Sequence, residues 1–345
     1  MIKISVIIPV YKVPLEYLRK CFNTLTTQTM QECEFIVVSD GAPKAECSIC
    51  EEYATKDYRF KFFNQIHAGV SATKNFALKK TSGEYITFAD ADDWVEPNFL
   101  NEIYEIASSK KLDILNWNYR LENTPVENQV KPLINHSIDL LDNNQRNIFL
   151  NNILINQDFG QSLSSCCTRL YNALFLKENK IFFSEDLSIG EDKAFNYQAY
   201  IVAKRMGYIN KTYYNYRMRN ESTVHKFIPN SFPIYLKYIN YIKSICHPEN
   251  QRSLGKEFLN VFFHSLNTSY FPPNRSVSIK ESINYLKTII YSNEFQQALY
   301  LLKGETYPFS LQFYLFCLHK QLLFPIYVRA IRYLFQRKFL CSYKQ

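Results

Sequence analysis

The chain has 345 residues, 47% of them apolar and 21% charged, which excludes a disordered or fibrous protein and leaves room for one large α/β domain with a smaller partner. The formal charge of +8 is gathered at one end, where residues 301–345 hold seven Lys or Arg against the single acid Glu305, so a uniformly basic nucleic-acid-binding surface is excluded. No uninterrupted run of about 18 apolar residues occurs, which argues against a membrane-spanning helix.

Met1 to Val10 reads as a strand rather than a signal peptide, and this predicts a cytoplasmic protein. Nine cysteines, an odd number, then fit as thiols rather than as a disulfide framework. Cys47 and Cys50 form a Cys-x-x-Cys pair, but the adjacent Cys166 and Cys167 do not supply the second pair that a zinc site needs, so a structural role is expected. Tyr and Phe total 53 against eight Gly, an excess that serves packing, stacking on sugars or contact with a membrane surface alike.

Residues 4–10, Ile-Ser-Val-Ile-Ile-Pro-Val, are a β-branched run suited to a strand buried on both faces. Leu15, Leu18, Phe22 and Leu25 then mark one face of a helix. A second strand over Glu34–Val38 stops at the turn residues Ser39 to Pro43. Next come a polar helix over Lys44–Tyr53, a strand at Phe60–Phe63, a loop through Gly69, a helix over Ser71–Lys80 and a strand at Tyr85–Ala89. This alternation predicts an open, mostly parallel α/β sheet. A helix follows over Pro97–Ala107 and a strand over Asp113–Tyr119, residues 121–160 read only loosely as loop and helix, and from about Asn230 the pattern is helical.

Ligands of such sheets bind beyond the carboxyl ends of the strands, where Asp40 and Asp90 both fall. Asp90, Asp92 and Asp93 repel one another unless a cation joins them, and their oxygens suit Mg²⁺ or Mn²⁺. Taken alone, the run is more often a solvated acidic turn capping the helix that starts after Trp94.

Its company changes that reading. Ser5-Val6-Ile7-Ile8-Pro9-Val10-Tyr11, Val37-Val38-Ser39-Asp40-Gly41, Gly69-Val70-Ser71-Ala72-Thr73-Lys74-Asn75 and Ser82-Gly83-Glu84 through Asp90-Ala91-Asp92-Asp93-Trp94 stand in order. In order and spacing they resemble the blocks of glycosyltransferase family 2, the inverting enzymes with a GT-A fold, over about residues 3–100. The resemblance implies that Pro9, Val10 and Tyr11 line a nucleoside pocket, that Asp40 accepts a hydrogen bond from the base, and that Asp90 and Asp92, flanking Ala91, hold metal or ribose with Asp93 sharing the work. Three positions depart from the family pattern: Ser39 replaces a usual acid, Lys74 a usual Arg and Ala77 a frequent Gly. Lys74 serves diphosphate charge without the planar fork of arginine.

An inverting transfer also needs a general base for the acceptor hydroxyl. Gly190-Glu191-Asp192-Lys193-Ala194-Phe195 resembles the family's base motif, which makes Asp192 the base and Glu191 its support or an acceptor contact. The plainer alternative is an acidic first helical turn favoured by the helix dipole. Tyr214 to His225 resembles the loop that closes over the donor, with Arg217, Arg219 and His225 reaching diphosphate or metal, while Trp94 either stacks on the acceptor or packs beneath the acidic loop.

The whole reads as a GT-A type, mostly parallel sheet flanked by helices over residues 1–215, the nucleotide-sugar-binding catalytic domain, with a mainly helical acceptor-side domain over 216–345. The expected reaction moves a hexose or N-acetylhexosamine from a UDP-sugar, with Mn²⁺ or Mg²⁺, to a hydroxyl of a cell-surface glycan or lipid-linked oligosaccharide. Alternatives are a non-catalytic sugar-nucleotide or glycan-binding protein, or a nucleotidyltransferase, whose Gly-rich phosphate loop is missing between Val10 and Gly41. The tail from Phe309 to Leu340 sets Lys and Arg among Leu, Ile, Phe and Tyr, a pattern for peripheral contact with the inner face of a membrane or for packing on the chain itself.

Overall fold

A computed structural model describes residues 1–125, 136–155, 163–218, 227–272, 276–307 and 309–342. The chain divides into two compact units, Met1–Arg219 and Asn220–Gln345.

The first unit is built on an eight-stranded sheet. Its strands are β1 (Ile4–Val10), β2 (Cys33–Asp40), β3 (Phe60–Gln65), β4 (Tyr85–Phe88), β5 (Trp94–Val95), β6 (Ile114–Leu121), β7 (Arg169–Asn172) and β8 (Met206–Tyr216). They lie in the order β3-β2-β1-β4-β7-β6-β8-β5. Every pairing is parallel except those of β7 with β4 and β6, and of β5 with β8. The flanking helices are α1 (Leu15–Thr26), α2 (Lys44–Lys56), α3 (Val70–Leu78), α4 (Phe99–Ser109), α5 (Asn143–Ile155), α6 (Ala173–Glu178) and α7 (Glu191–Val202).

The apolar run of β1 is buried along nearly its whole length, on both faces, with strands paired on both sides. Pro9 is tolerated in this central strand because odd residues of β1 bond toward β4, and that pairing ends at Ile7, whose carbonyl accepts from Ala89 N–H at 2.9 Å. The missing N–H of Pro9 therefore deprives no neighbour. Chain order runs outward from β1 to β3 and then returns to β4 on the other side of β1. The carboxyl ends of β1 and β4 consequently flank a topological switch point, where this class of sheet binds ligands.

Past Tyr119 the structure supplies what the sequence leaves open. β7 has only four residues, and β8 carries Asn210, Lys211 and Thr212 midway, so neither shows a clean strand signature. They are held by tertiary bonds: Asn116 Nδ2 donates to Gly207 O at 2.8 Å, and Thr87 Oγ1 to Arg169 O at 2.7 Å. Cys47 and Cys50 are free, buried thiols.

In the second unit the described residues form helices and turns only: α8 (Phe232–Ile245), α9 (Gln251–Ser265), α10 (Ile279–Ile290), α11 (Asn293–Leu301), α12 (Phe309–His319) and α13 (Phe324–Ser342). Ser278 and Ser292 cap α10 and α11 by accepting from Glu281 N–H and Phe295 N–H. Phe232, Phe258, Phe262 and Phe295 meet edge to face at the centre of this unit. Among the described residues no helix is long and apolar enough to cross a membrane.

Candidate active site

The first wall of the site forms where β1 and β2 end. Val10 is buried, Pro9 is half-buried, and Tyr11 is 39% exposed at the rim. Tyr11 stacks on His67 with ring centroids 4.5 Å apart. Asp40, at the end of β2, is only 4% exposed. Its Oδ1 accepts from Ala68 N–H at 2.7 Å and Gln65 Nε2 at 3.3 Å, its Oδ2 from Gly69 N–H at 3.1 Å, and His67 Nδ1 lies 2.9 Å from Oδ2. Burial pushes this carboxyl up, but those donors outweigh it and hold Asp40 below its ordinary value. Gly41 is required beside it: its φ is +68°, and a Cβ there would sit 3.0 Å from the backbone nitrogen and Cβ of His67. Asp40 thus organises residues 65–69 in the loop before α3. No family block or metal-ligand spacing marks His67 in the sequence. The usable signal was its place two residues beyond β3, at the same carboxyl edge.

The second wall is the acidic loop between β4 and β5. Asp90 donates its backbone N–H to Tyr214 Oη at 2.9 Å, and its carbonyl accepts from Asp93 N–H at 3.1 Å. Ala91 is buried beneath the turn. Asp93 is 1% exposed and accepts from Arg217 N–H at 2.8 Å, whereas Asp90 and Asp92 are half-buried. Burial, aided by Asp90 and Asp92, pushes the Asp93 carboxyl well up. Burial also raises Asp90, to about 6, with Lys74 opposing and Asp92 and Asp192 adding to the rise.

Trp94 donates through Nε1 to Glu122 Oε1 at 3.0 Å and carries Lys20 Nζ 4.4 Å above its ring. Arg217 is ion-paired with Glu122 at 3.0 Å and lies 3.7 Å from the centroid of Tyr17. Both side chains are tied to Glu122 at the edge of the loop. His225, expected near the metal, and Arg219 lie outside the described residues.

Opposite the acidic loop, α3 and α7 bring three charges together. Lys74 is 3% exposed, and its Nζ bonds Asp192 Oδ1 and lies 3.6 Å from Glu191 Oε1. Asp192 Oδ2 accepts from Cys166 N–H at 3.0 Å, yet the side chain keeps 22% of its surface open. Burial works against the Lys74 cation, but Asp192 and Glu191 prevail and hold the amine well above its ordinary value. Burial raises Glu191 as well, against the pull of Lys74. Gly190, at φ +77°, turns the chain into α7 so that Glu191 and Asp192 occupy its first turn. Asn75, next to Lys74, accepts from Phe183 N–H and donates to Phe183 O, both at 2.9 Å, which fastens the segment leading to Gly190 onto α3.

Among the described residues no three His, Cys, Asp or Glu side chains converge as a metal cage. The half-buried pair Asp90 and Asp92 offers two carboxylates, a donor set for an ion that completes its shell with ligand oxygens and water.

Residues 5–169 match the model of Glycosyl transferase family 2. Glycosyltransferase GlyA of Streptococcus pneumoniae serotype 4 is 33% identical over 220 residues, covering 64% of this chain and 31% of GlyA. The poly(ribitol-phosphate) beta-N-acetylglucosaminyltransferase TarS of Staphylococcus aureus is 27% identical over 229 residues, covering 64% of this chain and 36% of TarS. Most of either relative therefore lies outside the match. The crystal structure of S. aureus TarS 1–349 in complex with UDP-GlcNAc superposes with a TM-score of 0.66 at 23% identity, over 87% of this chain and 84% of that one. The helix-flanked, mostly parallel sheet with its helical C-terminal region is the fold the two share. Residues 5–169, just under half of the chain, thus match glycosyl transferase family 2, and the fold around them is the one shared with TarS.

Proposed function

We propose that the first unit is the catalytic body of an inverting glycosyltransferase that passes a hexose or N-acetylhexosamine from a UDP-sugar to a hydroxyl of a glycan. The observation that carries this reading is the nearness of two groups of acids, close enough for Asp192 and Lys74 to act on Asp90. Asp90 and Asp92 stand at the switch point, while Asp192 is presented from α7 by Lys74 and Cys166 N–H. The relative TarS is solved with UDP-GlcNAc and named for N-acetylglucosaminyl transfer to poly(ribitol-phosphate), which supports a UDP-sugar donor and a cell-surface acceptor here.

In this reaction Pro9, Val10 and Tyr11 line the nucleoside side, and Asp40 fixes the loop of His67 against the Tyr11 ring so that a flat surface faces the base. Asp90 and Asp92 would hold Mn²⁺ or Mg²⁺, Asp92 foremost, and the ion when bound neutralises charge on the leaving diphosphate. Asp93 keeps the loop closed through Arg217 N–H. Asp192 takes the proton of the acceptor hydroxyl as that oxygen bonds to the anomeric carbon and the bond from this carbon to the diphosphate breaks. Its two hydrogen-bond donors fix the carboxylate plane and leave lone pairs on both oxygens for the proton. Glu191 and Trp94 flank the acceptor side.

UDP release from UDP-GlcNAc, UDP-glucose and UDP-galactose in the presence of Mn²⁺ and a glycan acceptor tests the reading. Turnover of one donor supports it. Donor binding without release by any of them would replace it with the non-catalytic sugar-nucleotide-binding reading.

A further inference from the structure

The last two helices of the second unit show an apolar face to solvent. On α13, Phe324, Tyr327, Val328, Ile331 and Leu334 recur at the spacing of one helical stripe, and each is between 45% and 59% exposed. The opposite stripe, Ile326, Ala330 and Tyr333, is the buried one. On α12, Phe309, Phe313 and Phe316 are likewise 48% to 83% exposed, while Cys317 and Leu318 face inward. Phe313 and Phe324 lie 6.5 Å apart and join the two outward faces into one surface. A helix at the surface of a soluble unit ordinarily turns polar residues outward, and a joined patch of large apolar side chains marks a docking face.

Charge identifies the occupant. From Phe309 to Ser342 there are five Lys or Arg, namely Lys320, Arg329, Arg332, Arg337 and Lys338, and no Asp or Glu. A second copy of the chain docking through the same face would bring like charges together while it buried the phenylalanines. An anionic bilayer meets both demands, with phosphates for the basic side chains and an acyl boundary for the rings. No described helix is long and apolar enough to span. We propose that the outward face of α12 and α13 is a docking surface for an anionic lipid bilayer, on which these helices lie in the interface plane.

The test is co-sedimentation of the full chain, without donor, with vesicles of phosphatidylcholine alone or of equimolar phosphatidylcholine and phosphatidylglycerol. The chain is expected to pellet with the anionic vesicles only, and less as salt is added. Arg329→Gln with Arg332→Gln should weaken binding about thirtyfold, since each basic side chain near such a surface contributes about 1 kcal/mol. Phe316→Ser, Phe324→Ser and Ile331→Ser together should weaken it more than about a hundredfold with an unchanged circular dichroism spectrum. Equal binding to both vesicles, binding to neither, or full affinity in either variant would overturn the proposal. So would a dimer in sedimentation velocity that the serine substitutions dissolve, because the occupant would then be a second copy. None of these outcomes depends on the transferase reading, which UDP release tests separately.

Discussion

Replacing Lys74 by Met keeps much of the side chain's volume and removes the cation that joins α3 to the first turn of α7. The Lys74 side chain is 4% exposed, and those of the carboxyl groups it holds, Asp192 and Glu191, are 22% and 18% exposed, so water compensates them only in part. Breaking a buried pair by deleting one partner costs about 3–5 kcal/mol. For a unit of this size that corresponds to a fall of roughly 6–20 °C in the melting temperature. The pH dependence separates this account from simple loss of packing. Because the folded-state value of Lys74 is raised, its contribution is fully present below its unfolded-state value and is lost only as pH climbs through the folded one. The native protein therefore keeps it throughout the neutral range. In Lys74→Met the stranded Glu191 carboxyl, which burial already raises, is relieved by protonation, so the deficit against wild type should shrink as the pH is lowered from about 8 toward about 5. Differential scanning calorimetry across that range measures the deficit. A pH-independent deficit, or none, would refute the assignment of Lys74 as the counter-charge of the carboxyl groups in the first turn of α7.

Three further outcomes follow from the site. Asp192→Asn should lower kcat for UDP-sugar transfer by about 10²–10⁴-fold, while thermal shift with the donor shows binding retained. Mn²⁺ affinity, measured by titration calorimetry, should fall as pH drops through about 6, because Asp90 titrates near that value and only its ionised form binds the ion. The sign differs from that of a stabilising carboxylate: Asp90 is raised by burial, so the fold gains from its protonation while the ion loses. Gly41→Ala should destabilise the fold by about 1–2 kcal/mol in urea denaturation, from the cost of positive φ before any shift of His67 is counted.

The portions of this protein that were legible in sequence are those whose meaning is local. β1 announces itself by Ile-Ser-Val-Ile-Ile, and the alternation from Leu15 to Ala89 gives the parallel half of the sheet because each strand there is one apolar run between turn residues. The acidic loop is legible because three aspartates fall within four positions. β7 and β8 are not, since their pairings are set by partners such as Asn116 and Thr87, from 82 to 91 positions away. Asp40 shows the same limit inside the site. Its place after β2 is plain, but its hydrogen bonds to Ala68 and Gly69 come from a loop 28 and 29 positions on. With a base-binding role in view, nothing local points to a carboxylate already engaged with the backbone of that loop.

Lys74 carries this reasoning furthest. As an isolated substitution for the family's usual arginine, it reads as a cation awaiting diphosphate. In the fold its amine belongs to Asp192 and Glu191, 118 and 117 positions later, and its charge is also felt by Asp90. A point charge that already satisfies two carboxyl groups serves a diphosphate only by sharing, because an ammonium lacks the fork with which a guanidinium holds two partners in fixed geometry. Under the proposed mechanism, the arrival of donor phosphate beside Asp90 would draw on the cation that orients the base. Donor binding and readiness of Asp192 are then coupled through one amine. Lys74→Arg, which restores the fork without removing the charge, should leave stability near wild type and alter how donor affinity responds to Asp192→Asn, read as a thermal-shift double-mutant cycle. Strict additivity of the two substitutions would deny the coupling.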